Sequence, residues 1–309
     1  MKYAEGSMNH AVVIVCALVA CTAQADSYGG VGQNSPVTPT QAPPTPTKTQ
    51  PSPEQRARDV LDKQLKALPG DEAALKATFA KTAVVSVPTF TAKIDDPSLQ
   101  LAAQIAFMDP HAEMKSAKLT QLVAAGGTSS MVWFAAEIKV VVQSAEPGEP
   151  SSTATHVVRA IELLDGTSDW KVVAASFSEG RALGQRRHPG WPVAAPTPAG
   201  SLVKLLADPT GLASSLASDP VVVFGSDATE RAVGSSAAAT LLSKWKKLPL
   251  AIEEETKVRE VHTSAWAYAM AKVNIAKPGG PPYRMSGFVI AVPSANGAWS
   301  VVAASYGAL

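Results

Sequence analysis

Five side chains in the C-terminal half carry the chemistry of a general acid–base site: Asp227, Glu230, His262, Tyr268 and Tyr283. A carboxylate or imidazole of tuned pKa takes a proton, and a phenol donates to a developing oxyanion. Asp227 or His262 would be the base, and Tyr268 or Tyr283 the oxyanion donor. Each also has an ordinary reading. Asp227 and Glu230 lie three apart in GSDATE (225–230), ahead of a helical stretch. There an Asp closes a turn on a backbone N–H and a Glu favours the positive end of a helix. His262 sits near a strand start, where a surface or half-buried imidazole is common. In the N-terminal half, His111 follows Pro110 and His156 opens a strand that also carries Arg159. Neither has a partner at a diagnostic spacing. The five histidines include no i, i+4 pair, so no metal site is read. No glycine-rich phosphate loop precedes a helix and no G-x-S-x-G is present, so no cofactor is expected.

The elements that must position these residues are written twice. Residues 170–177 read WKVVAASF and 299–306 read WSVVAASY, identical at six of eight positions. In the first half, Ser52 caps a helix that starts at Pro53 and carries Val60, Leu61, Leu65 and Leu68 at helical spacing. A second helix opens at Asp71 with Ala74, Leu75 and Phe79 on one face. Residues 83–92 read as extended, and a third helix follows Pro97. Then come strands: 115–124, 131–143, 156–164 and 170–178. The second half repeats this order. It has helices near 202–206 and 212–216, a short strand 221–224, a helix 235–247, and strands 253–260, 265–275, 283–292 and 299–306. Val84–Ser86 matches Val221–Val223, and Trp133 matches Trp266. A repeat longer than 100 residues means duplicated domains, not a solenoid. The fold class is α+β, with helices covering one face of an antiparallel sheet in each half.

Helices followed by a long antiparallel sheet resemble the nuclear transport factor 2-like superfamily. The second half carries its SnoaL-like features most clearly: Asp219, Pro220, Val221–Phe224, then GSDATERAVG (225–234), a helix ending in Trp245, and a closing strand that opens on Trp299. The resemblance covers about 54–179 and 200–309. It implies two tandem cones, each with three helices on a curved sheet and a pocket between them. It also implies that two domains in one chain can mimic the homodimer common in that superfamily, packing sheet against sheet. Many relatives carry histidines where this chain has Ala174, Ser176, Ala303 and Ser305. The first copy also lacks the Gly-Ser-Asp and Glu-Arg elements, reading SVPTFTAKIDDP (86–97) instead.

The N-terminus reads as a targeting segment. Residues 11–20, AVVIVCALVA, form an apolar run of signal-peptide length, short of the ~20 residues a membrane span needs. Leu18, Val19, Ala20 and Cys21 resemble the bacterial lipobox, which would place a lipid on Cys21; the other reading is an ordinary signal peptide cut near Ala23 or Ala25. The two cysteines are Cys16 and Cys21, so the folded part has none. The expected organisation is a signal peptide at 1–20, a Pro/Thr-rich disordered tether at 21–53, domains at 54–179 and 201–309, and a linker at 180–200. Thr22 follows the Cys, which favours the outer membrane of a bacterial envelope. Net charge is +1, so nothing points to nucleic acid.

Together these features favour a lipid-anchored, non-catalytic protein that binds a small apolar molecule or an envelope partner. Its membrane contact would be through the anchor alone. The expected pocket set is Trp245, Trp266, Tyr268, Asp227 and Glu230. The rival is a SnoaL-like isomerase, cyclase or hydrolase working through the second copy. A third reading is a structural spacer with both pockets filled by side chains. Trp133, Trp170, Trp266 and Trp299 are read as core residues, each removing ~150–250 Å² from water.

Overall fold

Ser52 opens the folded part. Its hydroxyl accepts from Gln55 N–H at 3.2 Å, and Pro53 occupies the first turn, where its missing N–H costs nothing. The computed structural model describes residues 50–86, 112–144, 150–179, 201–252, 259–277 and 280–308. All lie in one compact unit, Thr49–Leu309. The signal peptide, Cys21, most of the tether, the third helix of the first half, the linker, His111 and His188 fall outside the described residues.

In the first half, α1 (Pro53–Ala67) and α2 (Glu72–Ala77) precede β1 (Phe79–Ser86), β2 (Ala112–Gly127), β3 (Met131–Ser144), β4 (Ser152–Asp165) and β5 (Lys171–Glu179). The sheet order is β1-β5-β4-β3-β2, with β1 parallel to β5 and every other pair antiparallel. Phe79 begins β1 and does not extend the helix before it: Thr78 caps α2, its N–H and hydroxyl both bonding back to Leu75 O. The second half has α3 (Ser201–Leu205), α4 (Pro209–Ser214), β6 (Val222–Phe224), β7 (Arg231–Val233), α5 (Ser235–Trp245), β8 (Leu250–Ile252), β9 (Arg259–His262), β10 (Ala267–Lys277), β11 (Gly280–Pro293) and β12 (Trp299–Ala308). Its sheet runs β7-β6-β12-β11-β10-β8, with β9 also pairing β10. The short strand lies parallel to the last one here too. β7 was not legible as a strand; its three residues pair with β6 and close the GSDATE turn.

The ladders refine the internal alignment. Trp133 stands opposite Leu163, which faces Ala174, while Tyr268 stands opposite Ile290, which faces Ala303. Ala174 and Ala303 are equivalent in the repeated octapeptides, so the sheet counterpart of Trp133 is Tyr268, not Trp266. Slippage by two residues preserves the face of a strand and is invisible to hydrophobic pattern. Likewise Val84 faces Ala174 and Val222 faces Ala303, one residue beyond the sequence match.

Three apolar layers follow from strand alternation. One face of the first sheet packs under α1 and α2 through Leu61, Leu65, Val132, Phe134, Ala160 and Phe177. One face of the second packs under its helices through Leu206, Leu212, Leu242, Trp245, Val289 and Tyr306. The two remaining faces meet each other through Met131, Trp133, Ile161, Leu163, Phe224, Trp266, Tyr268 and Phe288. The central stretches of β3, β4, β5, β10, β11 and β12 are thus buried on both sides, which is why they read as nearly continuous apolar runs, whereas β2 and β9 have no fully buried residue among those described. Ser305 Oγ donates to Ser176 Oγ at 2.8 Å within this middle layer, satisfying two hydroxyls that would otherwise be buried without partners.

Candidate ligand-binding site

The structure disperses the second-half residues. In the GSDATE turn, Asp227 accepts from Thr229 N–H at 2.8 Å and from Thr229 Oγ1 at 2.7 Å. Those bonds, backbone first, hold its carboxyl below the usual carboxylate range. Glu230 stands between turn and helix: Oε1 accepts from Trp245 Nε1 at 2.9 Å and Oε2 from Asp227 N–H at 3.2 Å. The turn is held from the other sheet by Arg159, whose guanidinium donates to the carbonyls of Asp227 (2.9 Å) and Ala228 and lies 5.1 Å from the Phe224 ring centroid. Burial lowers the Arg159 pKa, while Glu137 at 3.5 Å opposes that shift.

Trp266 and Tyr268 face the other sheet, away from the helices. Their rings stack at 5.9 Å, and burial raises the Tyr268 pKa. Trp245 does lie on the helix side, edge-on to Tyr306 at 5.1 Å, and Tyr306 Oη donates to Leu206 O at 3.2 Å. Burial pushes the Tyr306 phenol above its ordinary value. Tyr283 is half-buried against the same cluster. His262 Nε2 lies 2.6 Å from Glu260 Oε1. The same carboxylate accepts from Val203 N–H at 3.0 Å at the start of α3, and the imidazole meets the edge of Trp299 at 5.2 Å. His262 and Glu260 pair with Ala267 and Ala269, so they stand on the helix side, at the sheet edge.

Buried polar groups that the sequence did not single out lie in both halves: Glu162 and Gln64 in the first, and in the second Asn274 and Ser286, whose Oδ1 and Oγ have no partner among the described residues. On β4, His156, Val158, Ala160, Glu162 and Leu164 share the helix-facing side. Glu162 is completely buried there. Its Oε2 accepts from Gln64 Nε2 of α1 at 3.0 Å, while Oε1 has no hydrogen-bond partner among the described residues. A carboxylate removed from water among apolar side chains favours its neutral form. Burial pushes Glu162 up to about 8, with the Gln64 bond opposing. Burial thus favours the neutral carboxylic acid over the carboxylate. With Oε2 already accepting from Gln64, its proton belongs on Oε1, the oxygen that lacks a partner.

Farther along the same face, His156 Nδ1 lies 2.6 Å from Glu179 Oε1, both side chains about five-sixths buried (15% and 16% exposed). The buried His156 Nε2 has no partner among the described residues. Six residues of strand, roughly 20 Å at 3.3 Å per residue, separate this pair from Glu162. Among the described residues no group of three His, Cys, Asp or Glu side chains is placed to hold a metal, and no helix is long and apolar enough to cross a membrane.

Glu162 left one trace in the sequence. In VVRAIELL (157–164) it is an acid in the middle of a strand whose two faces are both otherwise mostly apolar. Gln64 likewise interrupts the apolar stripe of α1.

No family model matches the chain, and no curated protein matches it significantly. Among solved structures, a nuclear transport factor 2-like protein of unknown function from Pseudomonas putida KT2440 is 17% identical, with a TM-score of 0.30, over 35% of this chain and 82% of that one. A ketosteroid isomerase-like protein from Erwinia carotovora atroseptica SCRI1043 is 16% identical, TM-score 0.28, over 35% and 88%. A de novo designed protein with a curved β-sheet is 17% identical, TM-score 0.27, over 34% and 92%. Values of this size say nothing about a ligand or a reaction.

Proposed function

We propose that this chain is an exported, lipid-anchored, non-catalytic binding protein whose ligand is a small, mainly apolar molecule seated against the first sheet. One observation carries the reading: Glu162 is fully buried among apolar side chains beneath α1, and its Oε1 has no hydrogen-bond partner among the described residues. Such a group is costly unless something meets it. A neutral acid offers an O–H, so the fitting ligand presents a carbonyl or hydroxyl oxygen and no positive charge is needed. The Asp227 and Glu230 contacts support a binding role over acid–base chemistry in the second half, since both carboxylates are engaged in holding a turn. The anchor would be Cys21, at a bacterial envelope, with the Pro/Thr-rich stretch as spacer. The test is mass spectrometry of the protein purified from its own membranes. A bound neutral organic molecule and a diacylated Cys21 are expected. Ligand-free protein with an unmodified or absent Cys21 would refute the proposal.

A second reading has its own observation. His262 and Glu260, 2.6 Å apart at the edge of the second sheet, form a base with an orienting carboxylate, as an isomerase, cyclase or hydrolase would require. Under it, His262→Gln abolishes a proton-transfer activity while leaving binding in the first half intact.

A further inference from the structure

The two tryptophans that open the repeated octapeptides sit in different surroundings. Trp299 is the first residue of β12, paired with Pro293 and edge-on to His262. Trp170 lies just outside β5 and has φ +56, directly after Asp169 at φ +58. Two consecutive non-glycine residues in the left-handed region are uncommon, and for a side chain as large as Trp the conformation is an outlier. Outliers of this kind persist where the surroundings over-determine them, and they concentrate at ligand sites. Here the Arg56 guanidinium lies 3.7 Å from the Trp170 ring centroid and fixes the ring from one side.

The held ring forms one wall of an open cleft of about 450 Å³ between α1, α2 and the start of β5. Val60, Ala67, Ala74 and Ala77 give it an apolar lining, and Lys63, Lys66 and Lys171 also line it. None of these three ammonium groups has an ion-pair partner among the described residues. Two carboxylates share the lining, Asp71 and Asp169. Asp71 is occupied in capping α2, accepting from Ala74 N–H at 2.9 Å. The cleft therefore combines an immobilised aromatic surface, apolar walls and a net positive charge, three lysines against two carboxylates.

We propose that this cleft is a second ligand site, which takes an anionic group, carboxylate or phosphate, carried on a ring or apolar body that packs against Trp170. The lysines receive the anion and the indole receives the body. Neither part needs Glu162, so the site stands or falls independently of the ligand proposed at that residue.

The experiment is ¹⁹F NMR on the full-length chain in detergent, labelled with 5-fluorotryptophan, which gives six resonances. Trp170→Phe assigns the relevant one. Benzoate and phenyl phosphate are the anionic probes, and benzyl alcohol is the uncharged control. The expected result is a saturable shift of the Trp170 resonance with either anion and none with the alcohol. It weakens toward 1 M ionic strength, where the Debye length is only about 3 Å. A Lys63→Gln, Lys66→Gln, Lys171→Gln variant, altered only at lysines of the cleft lining, should bind about tenfold or more weakly. The relative strength of the two anions reports whether carboxylate or phosphate is preferred. A Trp170 resonance that does not move with either anion, or that moves equally in the triple variant or with benzyl alcohol, overturns the proposal.

Discussion

Replacing Glu162 by Gln tests the buried acid quantitatively. In the unfolded chain this carboxyl titrates near 4.5, and in the folded protein near 8. Between those values the folded state holds a proton that the unfolded state releases, so the contribution of Glu162 to stability falls as pH rises. The penalty is absent below the unfolded value and complete above about 8. At about 1.36 kcal/mol per pH unit, the span amounts to roughly 4–5 kcal/mol at most. Gln cannot ionise but keeps size and polarity. The difference in unfolding free energy, Gln variant minus wild type, should therefore climb by a few kcal/mol between pH 5 and about 8.5 and then level off. Urea unfolding of both proteins at half-unit pH steps measures this, and every other titrating group cancels in the difference. A difference that stays flat across the range would mean that Glu162 is solvated or paired in the native protein, and the argument for a neutral acid would be wrong.

Other expectations follow from the contacts. Arg159→Met removes the group that bonds the carbonyls of Asp227 and Ala228 and leaves Glu137 with Arg231, at 3.6 Å, as its remaining ion-pair partner among the described residues. A loss of about 3 kcal/mol and faster amide exchange across 225–230 should result. Gly225→Ala should cost at least about 2 kcal/mol in thermal or urea unfolding, because a methyl there meets Glu230 and comes to 2.7 Å from the Trp245 ring. Ser176→Ala or Ser305→Ala alone should cost about 1 kcal/mol by orphaning the other hydroxyl, while the double variant should be close to neutral.

Much of the α+β architecture was legible because helix caps and apolar strand runs are local signals. The octapeptides located the closing strands, β5 and β12. Register was less legible, since Trp133 corresponds to Tyr268 and a two-residue slip leaves the apolar pattern unchanged. The candidate site was less legible still. Asp227 and Glu230 were noticed because they adjoin a family-like turn, and that turn is where both make structural bonds. Trp266 and Tyr268 are large and central, yet they point at the other sheet, a direction set by tertiary packing. Trp170 was grouped with the core tryptophans because nothing local announces its positive φ. Glu162 was passed over because a strand buried on both sides gives no alternation against which one acid stands out.

The most direct test of the central claim is an experimental electron-density map around Glu162, from protein purified out of its native membranes without delipidation. An oxygen of a bound organic molecule is expected within hydrogen-bonding distance, about 3 Å, of Oε1. A map in which Oε1 is met by a lysine or arginine of the chain, or in which side chains fill the space around it, would rule out a ligand at Glu162.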